Sequence, residues 1–441
     1  MNIKLIKQKD FSLLMLGKLV SLLGSNMQQF ALSLYVLELT GSATIFASML
    51  SISILPRILL SPIAGVFGDW FDRKKTIVIL DLINALIIGI YSIIFITKGS
   101  LTIPMLYILV VLLEITEIFF HSAMSAVIPS MVEKEQLFDA NSFNSLVMNI
   151  GQLLAPIIGA VIYGGFGLKL VLIVNSISFL VSGMSEIFIN IPKKHKKPEK
   201  ISIKLFKDDL MEGIKVIRNN KFISTTISLA TIINFAIAPL FSIGLTFIIK
   251  EVFKATDFQF GLFQMVLSAS MITAPILFSG DIKRIPIGKL CYRSFISIGL
   301  LILIIVPLPS RVMLNSFNSN LVPYILLLLI CFIIGIVVTV ANIAMGTIFN
   351  QVTPVELMGR TSTVLNLAAT LFIPVGQMIF GFLYDIIMPS YVIAISGVIM
   401  IVAVKKYKTA LIKVDEEEEK VIEKDEAIDT NEVIGDVINE I

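Results

Sequence analysis

Twelve apolar stretches, each close to the length needed to cross a bilayer, leave this chain few folds to choose from. They cover residues 11–37, 43–67, 76–97, 103–127, 143–165, 168–189, 222–248, 258–280, 287–309, 322–347, 361–387 and 389–404. A hydrocarbon core of about 30 Å needs roughly 20 residues of helix at about 1.5 Å each. The last run is the shortest, and Lys405, Lys406 and Lys408, with Tyr407, complete it by snorkelling to the interface. The first run follows Lys4, Lys7 and Lys9 but is too long for a signal peptide and lacks a small-residue cleavage site, so it reads as an uncleaved span. Composition agrees: 56% of the 441 residues are hydrophobic and 15% charged, against about 25% charged in an ordinary soluble domain. So little polar surface cannot coat so much apolar mass in water.

Lysine and arginine set the orientation. With the N-terminus inside, Arg73 to Lys75, Lys134, the central linker, Lys283, Arg284, Lys289, Arg360 and Lys405 to Lys408 all fall on the cytoplasmic side. Only Lys98, Lys169, Lys250, Lys254 and Arg311 fall outside. Both termini are therefore expected in the cytoplasm and the chain in the cell membrane.

Several function classes drop out. Cys291 and Cys331 both lie in apolar stretches, and His121 and His195 are the only histidines. That suggests neither a disulfide framework nor a metal site. No phosphate-binding G-x-x-x-x-G-K-[ST] loop occurs, so the chain is not its own ATPase. No catalytic cluster, cofactor or nucleic-acid partner is expected; a membrane-embedded transferase would need such a cluster at the interface, and only isolated charges are present.

The chain divides into 1–190, a linker at 191–221, 222–408, and a tail at 409–441. The linker holds Lys193, Lys194, Lys196, Lys197 and Lys200, then Phe206, Leu210, Ile214 and Ile217 at helical spacing. This predicts an amphipathic helix lying on anionic lipid at the cytoplasmic face. The tail is dense in Asp and Glu and is expected to be disordered. The halves resemble each other weakly: Ile128 to Leu137 aligns with Ile348 to Leu357, Ser142 with Ser362, Gly159 with Gly381 and Tyr163 with Tyr384. A duplicated transporter would show such a pattern.

Between the second and third runs stands Gly65-Val-Phe-Gly-Asp69-Trp-Phe-Asp-Arg73-Lys74. It resembles the signature loop of the major facilitator superfamily, G-x-x-x-D-x-x-x-R-[RK], with Asp72 in place of the usual second glycine. Ser21-Leu-Leu-Gly24, Leu39-Thr-Gly-Ser42, Ile128-Pro129 with Leu137 and Ala140-Asn141, and Glu212-Gly213 with Val216-Ile217-Arg218 resemble its macrolide-efflux and siderophore-exporter branch. The resemblance implies twelve transmembrane helices in two pseudo-symmetric six-helix bundles around a cavity that opens alternately to either side. It also implies a monomer that moves a small amphipathic compound, driven by a proton or cation gradient. Export is the expected direction; import on the same fold is the alternative, and a non-transporting sensor is a further rival. In the resembled fold the signature loop packs on the start of the eleventh span, here Thr361-Ser362-Thr363. Asp69 would act there as a gate, with Arg73 and Lys74 held by Asp72 or Asp81. Asp81, one to two turns into the third run, is expected to brace that loop rather than touch substrate.

The fifth run carries Gly151, Ala155, Pro156 and Gly159, which resemble the drug-antiporter motif of that span with alanine replacing a glycine at 155. Helix packing is the plainer reading of this small-residue stripe, and Pro156 permits a bend. Charges within the runs are the functional candidates. Glu114, Glu117 and His121 sit at i, i+3 and i+7 on one helical face. An unpaired carboxylate at mid-depth costs at least about 2.5–3.5 kcal/mol, which suits a reversible proton site or a seat for a cation. A permanently paired brace is the other reading. His121, near the cytoplasmic end, is expected to be a hydrogen-bonded interfacial residue. Arg57 needs a counter-ion, and Glu114 or Glu117 fits by depth. Lys18 is expected to snorkel, with the cavity as the alternative. Asn26, Gln28 and Gln29 either line the cavity or bond between helices. The fourth run lacks the arginine that many drug antiporters carry there, so their coupling scheme is not carried over.

Overall fold

The computed structural model describes residues 7–70, 72–133, 136–191, 221–278, 286–317, 319–353 and 358–413, with positions 5, 211 and 215; at 61–70, 125–126, 138, 221–223, 226, 275–278, 350–352, 358–363 and 366 only the backbone is described. Among these residues the chain is helical throughout, with no strand. The helices are α1 (Lys9–Thr40), α2 (Ala43–Trp70), α3 (Arg73–Lys98), α4 (Ile103–Met131) and α5 (Leu137–Ile187). There follow α6 (Lys221–Ala236), α7 (Asp257–Phe278), α8 (Ile287–Ile305), α9 (Leu321–Val352), α10 (Met358–Ile386) and α11 (Pro389–Lys406). A short helix, Arg311–Asn315, lies between α8 and α9. Beyond α6 the chain stays helical but widens to π-helical turns at Leu240–Gly244 and Ile248–Val252.

Local signals explain the breaks. Gly41 ends α1 in the left-handed region (φ 59°), and its N–H bonds the Leu37 carbonyl at 2.7 Å. Ser42 then accepts from the Ile45 N–H at 3.3 Å and starts α2. α5 holds two of the apolar runs. Gly167, at φ 70° and ψ −174°, breaks it between them in a conformation that a side chain would strain.

Nine helical segments among the described residues are long and apolar enough to cross a membrane, the two-run segment Asp139–Ile187 counting as one. α1 and α7 are not among the nine. Polar residues dilute them: Lys18, Asn26, Gln28 and Gln29 in α1, and Asp257, Gln259 and Gln264 in α7. The predicted linker helix lies outside the described residues except for Met211 and Lys215, both helical and exposed, and the tail from 414 lies outside them altogether. Residues 408–413 continue the helical path with Leu411 buried, so the tail begins later than its charge suggests.

α1, α3 and α4 pack with α5, α2 or one another in the first half; α8 packs with α9 and α11, α9 with α7, and α10 with α6 in the second. Two helix pairs join the halves: α2 with α10, and α5 with α7. The apolar core is unevenly shared. One large cluster includes Met27 to Phe46, Leu101 to Leu109 and Ala160 to Leu172 from the first half, with Ile237 to Phe263 from the second. At the opposite end the first half has its own core, around Phe11, Ile77, Phe120 and Phe143. The halves are thus fused at the end bearing the turns at 41–42, 99–102 and 253–256, and do not share this core at the end bearing the α2–α3 turn.

Candidate functional site

Within the first half, a cavity of about 400 Å³ opens among α1, α2, α3, α4 and α5 and reaches Phe120 of the core that the second half does not share. It collects five of the charged or titratable side chains named above: Lys18, Arg57, Glu114, Glu117 and His121. Arg57 places Nη2 at 2.6 Å and Nε at 2.7 Å from Glu114 Oε1, so of the two α4 carboxylates it is Glu114 that it bonds. Glu114 is the more enclosed of the two, with its side chain 15% exposed against 55% for Arg57. The pair is therefore hydrated from the cavity on the arginine side and worth far less than a dry one. Glu117 lies one turn along the same face, its Oε1 at 3.0 Å from His121 Nε2. His121 is hydrogen-bonded, as expected, but it also lines the cavity.

Lys18 overturns the snorkelling expectation. It is buried, and its Nζ donates to Asn144 Oδ1 in α5 at 2.6 Å. α1 lies along α5 for much of its length, which closes the route to the interface. Gln28 serves both readings: it lines the cavity while its Oε1 accepts from Asn175 Nδ2 at 2.8 Å. Asn26 and Gln29 line this cavity and also a second one of about 320 Å³ against the other half. The second cavity brings in Phe260, Ser242, Thr246, Gln264 and Ser268. Every polar side chain that the second half adds there is neutral.

The stripe in α5 is packing. A side chain at Gly151 would meet Leu22, and one at Gly159 would meet Phe30 and Met27, all in α1. Ala155 is fully buried, and the Pro156 carbonyl lies against Gly261 of α7. Of the signature loop, Gly65 and Asp69 lie in α2 with side chains outside the described residues. Asp72 accepts from the Lys75 N–H at 3.2 Å and so caps α3. Lys74 Nζ donates to the Ile187 carbonyl at 2.7 Å. Among the described residues Asp81 is not seen bracing the loop: it is fully buried against Gly183 of α5, beside the Ser182 hydroxyl. α10 is already helical at Met358, so Thr361-Ser362-Thr363 sits within its first turns rather than ahead of them.

Sequence reasoning missed the polar contacts that close the other end. Asp385 of α10 accepts from Ser42 Oγ at 2.7 Å, the Ala43 N–H at 2.8 Å and the Thr44 N–H at 3.0 Å. It thus caps α2 from the other half of the molecule. Beside it, Tyr163 donates to Glu38 at 2.6 Å, and Lys250 lies 2.6 Å from Asp257 and 3.9 Å from Glu38. The visible signal was Gly41-Ser42, a helix start with free N–H groups; nothing local pointed to residue 385.

The sequence pattern of the Major Facilitator Superfamily matches residues 14–377. Macrolide efflux protein A of Streptococcus pyogenes is 23% identical over 390 residues, 87% of this chain and 92% of its own length. Among solved structures, a bacterial homologue of the iron transporter ferroportin in its inward-facing state superposes with a TM-score of 0.70 at 15% identity, covering 92% of this chain and 98% of that one. A nucleoside transporter superposes at 0.69 and 12% identity, covering 91% and 99%.

Proposed function

Since the chain belongs to the Major Facilitator Superfamily, and is thus a membrane-spanning transporter with relatives in macrolide efflux, we propose that it exports a small amphipathic compound from the cell by alternating access. The single observation that carries this reading is the charged cavity held between helices of the first half at the end where the halves part. Ionisable groups at membrane depth are costly and cluster where substrate and ions pass. The chain is read as twelve spans in two six-helix bundles, with both termini in the cytoplasm. The parted end is then the cytoplasmic one, and the conformation is one that loads from inside.

Coupling is assigned to the Arg57–Glu114 pair. A proton on Glu114 removes the charge that holds Arg57 and frees both side chains to repack. A bond that exists in only one protonation state biases the two global conformations, which is what a gradient needs to do work. No cofactor enters this scheme. The Gly65–Lys74 loop is assigned to the cytoplasmic gate, with Asp69 as its acidic member and the first turns of α10 as its contact.

The test is accumulation of a macrolide and of a fluorescent amphipathic dye in cells with and without the protein, each with a protonophore control. Lower accumulation that rises to the control level with protonophore supports proton-driven export. Higher accumulation that collapses with protonophore identifies an importer. Equal accumulation throughout for every compound tried removes the transport assignment for this substrate class.

A further inference from the structure

We propose that Glu117 is the seat for the cationic group of the transported compound, and that His121 occupies this seat while the cavity is empty. The inference rests on the transport reading above and adds the substrate's charge and the residue that competes with it.

The two cavity carboxylates are not equivalent. Glu114 is already answered by two N–H groups of Arg57. Glu117 has no lysine or arginine within ion-pair distance, and His121 Nε2 is its one hydrogen-bonding partner among the described residues. Its side chain is also the more open, 35% exposed against 15% for Glu114. The other charged groups around it are held elsewhere or acidic. From α1, Lys18 gives its Nζ to the neutral Asn144 amide, outside ion-pair distance of Glu117, and acts on Glu117 only through space. From α2, Arg57 is held by Glu114. α3 contributes Asp81 and α4 contributes Glu114, both acids. α5 presents neutral side chains to the cavity, Met148, Gln152 and Asn175. The cavity that holds Glu117 also has aromatic and aliphatic lining, with Phe120 and Phe179 among it. An anionic point against aromatic and aliphatic walls fits a cation carried on an apolar body.

His121 is suited to hold such a seat provisionally. It lies one turn from Glu117 on the same helix, and its side chain is 54% exposed, so no packing pins it. An i,i+4 pair on an open helix face is a weak tether.

The test is direct binding to the purified full chain in detergent, with no gradient and no transport step. Two probes are compared, a dansyl-labelled quaternary ammonium amphiphile and its isostere with carbon in place of nitrogen. Glu117→Gln should weaken the quaternary probe at least about tenfold, the loss of one charge-assisted contact, and leave the neutral isostere within about twofold. His121→Ala should tighten the quaternary probe about twofold, the loss of one weak i,i+4 competitor, and leave the neutral isostere unchanged. The proposal is overturned if Glu117→Gln binds the quaternary probe normally, or if it loses both probes alike. It is also overturned if His121→Ala binds the quaternary probe no more tightly than the unmodified protein. Normal selective binding in a protein that exports nothing would instead remove the transport reading and leave the seat.

Discussion

The first half of the molecule presents Lys18, Arg57, Glu114, Glu117 and His121 to the cavity, whereas the second half presents Ser242, Thr246, Gln264 and Ser268. Both halves are built from long apolar helices, so the bilayer constrains them equally. The difference lies in how each half keeps polar atoms at depth. The first half pairs charges across helices, Arg57 with Glu114 and Lys18 with Asn144. The second half bends its backbone instead. Ser242 lies in the π-helical turn Leu240–Gly244, Thr246 directly after it, and Tyr384 packs against Gly244. π-helical turns are costly insertions that persist where a helix must present an unusual face. Charge is concentrated in one half and backbone irregularity in the other. In the proposed scheme, proton and cation handling fall to the first half and the neutral wall to the second.

The largest expected effect separates these roles. Glu114→Gln with Glu117→Gln should reduce gradient-driven transport to background while the protein still reaches the membrane. Ser242→Ala with Gln264→Leu, in the neutral wall, should shift apparent affinity by no more than about tenfold and keep the protonophore response. Flux in membrane vesicles with an imposed pH gradient checks both. Full gradient-driven flux in the carboxylate double variant would end the division of labour described here.

Packing offers a second way to compare the halves. A methyl group at Gly376 of α10 would strike the backbone carbonyl of Phe235, whereas one at Gly151 of α5 would strike the end of the Leu22 side chain. A backbone cannot step aside as a leucine can. Gly376→Ala should therefore destabilise by about 1–3 kcal/mol, the usual range for overpacking. Gly151→Ala should cost clearly less, as measured by thermal unfolding in detergent. Equal losses would show that both approaches are equally rigid.

Smaller still is the coupling within the charged half. A double-mutant cycle on Arg57→Ala and Glu114→Ala should give an interaction energy near the low end of about 0.5–3 kcal/mol, because Arg57 is half exposed to the cavity. The cycle of Arg57→Ala with Glu117→Ala should be additive within about 0.5 kcal/mol. Folded yield and unfolding temperature read both cycles. Coupling to Glu117 as large as to Glu114 would mean that the arginine exchanges between them.

The difference between the two cycles also marks what the sequence could not supply. Depth along α4 follows from residue count, so Glu114 and Glu117 were both legible as partners for Arg57. Their choice depends on how α2 and α4 are rotated about their axes, and no residue reports that. Hydropathy located the helices but not their ends. It reads where lipid stops, whereas α5 already starts at Leu137, with Ala140 buried in protein. Lys18 was misread for a related reason. Snorkelling assumes a side chain facing lipid, and α1 faces α5 there. The break at Gly167 was legible, because a run of glycines between two apolar stretches has few other uses. The contact of Asp385 with residues 42–44 was not legible, since more than 340 positions separate them.

That contact gives the smallest effect, at the end where both halves meet. Asp385 belongs to the second half and satisfies the first N–H groups of α2 in the first half. It also bonds Ser42 Oγ at 2.7 Å and Thr44 Oγ1 at 2.5 Å. A carboxylate at a helix N-terminus contributes through hydrogen bonds and through the helix dipole, commonly about 1 kcal/mol for such a cap. In the proposed alternating-access cycle this contact breaks when this end opens, so its loss favours the state open at this end rather than the unfolded chain. Asp385→Asn keeps the size and one acceptor oxygen but removes the charge. A shift of about 0.5–1 kcal/mol is a two- to fivefold change in the ratio of the two states. The readout is labelling of a cysteine placed at Ser33, which lines both cavities, by a membrane-impermeant reagent applied from the side of this end. Cys291 and Cys331 are buried and give little background. Labelling should rise two- to fivefold in Asp385→Asn, and further in Asp385→Ala. Unchanged labelling in both variants, with unchanged flux, would mean that the shared apolar core alone closes this end and that the charge from the second half plays no part in it.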